Sequence, residues 1–84
     1  GRYTVADVRR QYEMQDGKCA YCACALGELY EIEHRVPLSR GGTNWPDNIC
    51  CACPACNRHK GAMTDVEFLS RKSRAVPVGR TAGG

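Results

Sequence analysis

The 84-residue chain predicts a single small α+β domain. Helix signals with capping residues stand at both ends, two short strand-like runs flank a turn-rich loop, and two CxxC pairs, Cys19/Cys22 and Cys53/Cys56, bracket that loop. A chain this short closes one core at most. Below about 70 to 80 residues a core also rarely supplies more than about 3 to 5 kcal/mol, so a staple is expected.

Taken in order, Thr4 caps a helix running from about Val5 to Met14, with Asp7 at the box position, Val5, Val8, Tyr12 and Met14 at helical spacing, and Gly17 beyond its end. The first cysteine knuckle follows, and residues 23–29 read as a short linker. Tyr30 to Leu38 is the first strand candidate: Tyr30 and Ile32 alternate with Glu31 and Glu33 until Pro37 limits pairing. Residues 39–48, SRGGTNWPDN, are turn formers and make an ordered loop, in which Trp45 is expected to anchor the loop in the core or, as the alternative, to stack on a base. Ile49 to Ala52 fits a second strand, antiparallel to the first. Pro54 suits a first helical turn and Gly61 its stop. Thr64 and Glu67 form a capping box for a last helix from about Asp65 to Ser73. The domain is expected over residues 1–76, with a disordered tail over 77–84.

Seven cysteines are an odd number, which argues against a fully paired disulfide framework. Four of them make two CxxC turns, and two such turns brought together supply the tetrahedral sulfur ligands of a structural zinc site: Cys19, Cys22, Cys53 and Cys56. A redox motif would come once, in a βαβ setting, whereas here two pairs flank a hairpin. Cys51 reads as a small core residue. The sequence shows no apolar h-region at its start and no run of about 18 apolar residues, so no membrane partner and a reducing, intracellular setting are expected. The chain starts at Gly1 rather than Met, and further domains of a longer parent protein are expected. Net charge is only +3, yet residues 35–60 hold Arg35, Arg40, Arg58 and Lys60 against Asp47 alone. That asymmetry fits a polyanionic partner.

The central stretch joins these signals. CxxC is followed by Glu33-His34 with Pro37 three residues on, then Ser39-x-Gly41-Gly42, then Asp47-Asn48, then Cys53-x-x-Cys56-Asn57-x-x-Lys60-Gly61. This order resembles the zinc-ribbon branch of the HNH endonuclease family, over Cys19 to Thr64. The resemblance implies a ββα-metal core, in which a hairpin, a loop and a helix hold one divalent cation against a scissile phosphate. It implies His34 as the general base, Glu33 and Asn57 as ligands of a catalytic Mg²⁺ or Mn²⁺, and Asn48 as the asparagine that holds loop and base. It also implies DNA as the partner, with products bearing 5′-phosphate and 3′-hydroxyl ends.

The physical roles stand beside the resemblance. Phosphodiester hydrolysis needs a base for water and a counter-charge for the phosphoryl oxygens. A neutral imidazole is a competent base at pH 7, and oxygen donors suit a hard cation. Consecutive strand residues face opposite sides, so the strand must twist, bulge or end at Glu33-His34 if both are to reach one phosphate. Arg40, Arg58 and Lys60 are the candidate phosphate contacts, and His59 is a groove-facing or surface side chain. The alternative reading is a catalytically silent zinc-ribbon module that binds nucleic acid; such a module has no reason to carry a base and a cation set.

Overall fold

The computed structural model describes residues 1–75 as three helices around a two-stranded antiparallel sheet: α1 (Val5–Met14), β1 (Glu31–His34), β2 (Ile49–Ala52), α2 (Pro54–Lys60) and α3 (Asp65–Ala75). Short 3-10 turns at Leu38–Arg40 and Pro46–Asn48 shape the loop between the strands. The tail expected over 77–84 lies outside the described residues. No helix among the described residues is long and apolar enough to cross a membrane.

The caps form as their residue types require. Asp7 N–H donates to Thr4 Oγ1 at 3.2 Å while the Asp7 carboxylate accepts from Thr4 N–H at 2.8 Å. The same reciprocal pair starts α3, between Glu67 N–H and Thr64 Oγ1 at 3.1 Å and between Thr64 N–H and Glu67 Oε1 at 3.0 Å. That helix runs two residues past the expected end at Ser73. In α1, Val8 is buried and Tyr12 half-buried, but Val5 and Met14 are exposed.

β2 is the centre of the domain, with every residue buried. Its side chains are small enough to let layers close on both faces: Cys51 lies towards Val8 of α1, and Cys50 Sγ sits 3.4 Å from Tyr21 Oη, beside the edge-to-face pair of Tyr21 and Phe68. The outer edge of β2 is satisfied without a third strand. Gln15 accepts from Cys51 N–H and donates to Cys51 O at 3.1 and 2.9 Å, and Ala20 N–H donates to the same carbonyl at 3.0 Å. The linker at 23–29 is pinned too, through Leu26 N–H to Gly17 O at 2.7 Å and an isolated bridge between Lys18 and Ala25.

β1 is shorter than the expected run from Tyr30 to Leu38, and it ends at His34. Beyond that point side chains replace the ladder. Asn48 accepts from Val36 N–H at 2.9 Å and donates to Val36 O at 3.0 Å, and Lys60 Nζ donates to His34 O at 2.9 Å. The loop then closes on Gly42, where a Cβ would fall 1.8 Å from Val36 O; Gly41 beside it has a φ of 90°.

The face of β1 that is most covered is the charged one. Ile32 is 39% exposed and Glu33 only 9% exposed, the reverse of what the apolar alternation suggests. The reason is α2, which packs over the Glu33 side and brings Lys60 with it.

Candidate metal centre and the hairpin site

Two local conformations shape the first knuckle. Ala23 has a positive φ of 64°, turning the chain sharply after Cys22, and Cys19 N–H donates to Cys24 O at 2.8 Å. The second knuckle is a helix start, with Cys53 as N-cap of α2 and Pro54 in its first turn. The four sulfurs of Cys19, Cys22, Cys53 and Cys56 lie within 4.8 Å of one another, and Cys22 Sγ is 3.9 Å from Cys53 Sγ. Zinc bound tetrahedrally at about 2.3 Å needs sulfur edges of about 3.8 Å, so the cluster fits such an ion with small shifts.

Backbone donors prepare these sulfurs for negative charge. Burial pushes the Cys19 thiol up, but N–H groups of Cys53, Cys22 and Tyr21 outweigh it and bring it down to about 6. The N–H of Cys56 lowers the Cys53 thiol in the same way. Cys56 is raised by burial and by sharing a proton with its neighbours. Cys24 lies beside Cys22 and Cys53, and contact with Cys22 above all pushes its thiol up to about 12. Cys51 is a buried core residue, as expected, and so is Cys50.

The hairpin site sits at the open end of the sheet. His34, half-buried at the last position of β1, has its Nε2 2.8 Å from Asn44 Oδ1 and its ring edge-to-face with Tyr3 at 6.5 Å between centroids. Asn48 ties the loop together: besides its two bonds to Val36, its Nδ2 donates to Thr43 O at 2.8 Å. Asn48, expected to hold loop and base, bonds to backbone, and a different asparagine, Asn44, meets the histidine ring. Asn44 was not among the residues singled out in the sequence. Its place directly after the Gly41-Gly42-Thr43 turn, facing a strand end, is the signal that could have found it.

A family model described as HNH endonuclease matches residues 19–73, well over half of the chain. The chain belongs to the HNH endonuclease family. No curated protein matches it. The two expected cation ligands, Glu33 and Asn57, have different surroundings. Glu33 is held by Lys60, with Nζ 2.7 Å from Oε2. Asn57, half-buried on α2, donates its side-chain amide to the exposed carboxylate of Glu31. Glu31 and Glu33 leave the strand on one face, two residues apart, and Glu31 is a second acidic residue that the sequence reading passed over. His34 leaves on the other face.

The basic residues expected at phosphate divide. Lys60 is only 1% exposed and serves Glu33 and His34 O, so it is an internal residue and its ammonium is not on the surface. Arg40 makes two bonds to Glu67, at 2.5 and 3.1 Å; the guanidinium holds the Glu67 carboxyl at about 2, well below the usual range. Arg58 is exposed, as is His59. Trp45, expected as a loop anchor in the core, is instead 54% exposed, because the loop is already held through Asn48 and the ring lies outward against Gly1.

Two outcomes test this description. Replacing Cys19 or Cys53 by Ser removes a thiolate from a site whose metal-binding energy is also folding energy, so the protein should lose bound metal and cooperative unfolding together. Full metal content by elemental analysis with an unchanged melt would refute the four-sulfur assignment. Lys60→Met should cost about 3 to 5 kcal/mol by denaturant unfolding, since it strands a buried carboxylate, and adding Glu33→Leu should recover much of that loss. A single variant within about 1 kcal/mol of the parent would mean the pair is not buried in solution.

Proposed function

We propose that this domain is a metal-dependent endonuclease that hydrolyses phosphodiester bonds of DNA on a ββα-metal core formed by β1, β2 and α2. The observation that supports this over a silent binding module is the held histidine. His34 stands at a strand end with its ring fixed by a side chain rather than left to solvent, beside a helix that presents Asn57 to the same strand. A module that only binds needs neither.

In this reading His34 takes a proton from water as the water oxygen bonds to phosphorus. The P–O3′ bond breaks, and the leaving oxygen gains its proton from solvent, giving 5′-phosphate and 3′-hydroxyl ends. Asn57 would hold the catalytic cation together with the exposed Glu31 carboxylate that it already meets, and Glu33, the other expected ligand, would join them only by giving up its ion pair with Lys60. These are hard oxygen ligands that suit Mg²⁺ or Mn²⁺. The cation, when bound, supplies counter-charge to the phosphoryl oxygens. The Cys19/Cys22/Cys53/Cys56 cluster holds zinc in a structural role. Of the three basic candidates, Arg58 is the one whose charge is free to meet a phosphate, and the exposed Trp45 ring offers a stacking surface beside the loop.

The decisive assay is supercoiled plasmid with and without Mg²⁺ or Mn²⁺. His34→Ala should lower cleavage by about 10² to 10⁴ while zinc content and fold persist, whereas Asn57→Ala should lose activity that rising Mn²⁺ partly restores. Cleavage by His34→Ala within a few-fold of the parent would remove His34 as the base. Binding is tested separately: Arg58→Ala should lower the slope of log K against log salt by about one unit on DNAs of unrelated sequence, and an unchanged slope would leave Arg58 as a solvated side chain.

A further inference from the structure

The ring of His34 has two nitrogens, and only one can accept a proton from water while the other carries hydrogen. Asn44 Oδ1 lies 2.8 Å from Nε2, and an amide oxygen can only accept. Nε2 therefore carries the hydrogen, and the lone pair is left on Nδ1. We propose that Asn44 is a positioning residue that fixes the tautomer and the ring angle of His34, so that Nδ1 is the atom that accepts the proton. This rests on the nuclease reading above and adds to it the reacting atom and the residue that selects it.

Asn44 is itself held by neighbours on both sides. Its carbonyl accepts from Tyr3 N–H at 2.7 Å, and the Tyr3 ring meets the His34 ring edge-on. On the chain before it, Thr43 O accepts from Asn48 Nδ2 at 2.8 Å; on the chain after it, Trp45 N–H donates to Thr43 Oγ1 at 3.2 Å. The amide thus projects from a short stretch of backbone with few free torsions. Two asparagines divide the work: Asn48 shapes the loop, and Asn44 uses that shape to reach the ring. Bound this way, the imidazole cannot flip between its tautomers or swing away from a water without losing a hydrogen bond.

The test uses the whole chain with its zinc. There are two histidines, and His59 is exposed, so its ring N–H exchanges rapidly with water. In ¹⁵N-labelled protein at mildly alkaline pH, one low-field ring N–H should be seen, assigned to His34 Nε2. It should vanish in Asn44→Ala and persist in Asn44→Asp, whose carboxylate also accepts. In plasmid cleavage Asn44→Ala should lower kcat by about 10- to 100-fold with KM and zinc content unchanged, and Asn44→Asp should recover most of it. A ring N–H on Nδ1, no protected ring N–H in the wild type, or equal kcat in wild type and Asn44→Ala would each overturn the assignment. A wild type that cuts no DNA with either cation overturns the nuclease reading instead, and the Asn44 role in catalysis with it.

Discussion

Two strands of four residues cannot keep their pairing in water unaided, and everything that gives this chain a site hangs on such a hairpin. The constraint that makes it stand is the meeting of two cysteine turns. Cys19 and Cys22 follow α1, whereas Cys53 and Cys56 sit where β2 becomes α2, so bringing four sulfurs together fixes the end of one helix to the start of another. The whole hairpin and its loop lie between Cys22 and Cys53. Cys53 adds a second role as the N-cap of α2, its sulfur accepting from Cys56 N–H. A metal held at this point would therefore set the direction of the helix that carries Asn57 and Lys60.

The hairpin, both flanking helices, the cysteine set and α2 from Pro54 to Lys60 are legible in the sequence, because each has a local signature: a cap, a repeat of period two, a fixed spacing. Which face of β1 is covered is not legible in such signatures. Alternation alone puts Tyr30 and Ile32 inside, but the buried residue is Glu33, and its burial depends on a lysine far along the chain. A charged side chain can be buried only against a partner, and that partner becomes visible when α2 is folded over the strand. Lys60 was misplaced for the same reason. Its position one turn after Asn57 reads as a surface charge beside a phosphate, and in the fold it is the countercharge of the core.

Arg40 and Trp45 illustrate a second limit of local reading. Arg40 finds Glu67 across the loop, and Glu67 is already the capping residue of α3, so a single carboxylate both starts a helix and holds the loop. Its carboxyl, held down mainly by Arg40 and then by Thr64 N–H, stays ionised through the range in which DNA would be bound. Trp45 is released to the surface because Asn48 has already satisfied the loop backbone. In both cases a residue type common at nucleic-acid surfaces was assigned correctly to the loop, yet its exposure depended on contacts made elsewhere.

His34 shows how the two halves of the structure divide their labour. Its backbone carbonyl is bound from one side by Lys60 of α2, and its ring is bound from the other by Asn44 of the loop. The first contact belongs to the core: it includes a buried ammonium and Glu33, so disturbing it disturbs folding before it reaches any chemistry. The second is half-buried and involves neutral groups, whose net contribution to stability is about 0.5 to 1.5 kcal/mol. In the proposed reaction the same bond restricts a torsion and a tautomer on which proton transfer would depend steeply. The face with Glu33 and Lys60 thus holds the strand end in position, while the face with Asn44 is where the ring's chemistry can be altered without loss of the fold.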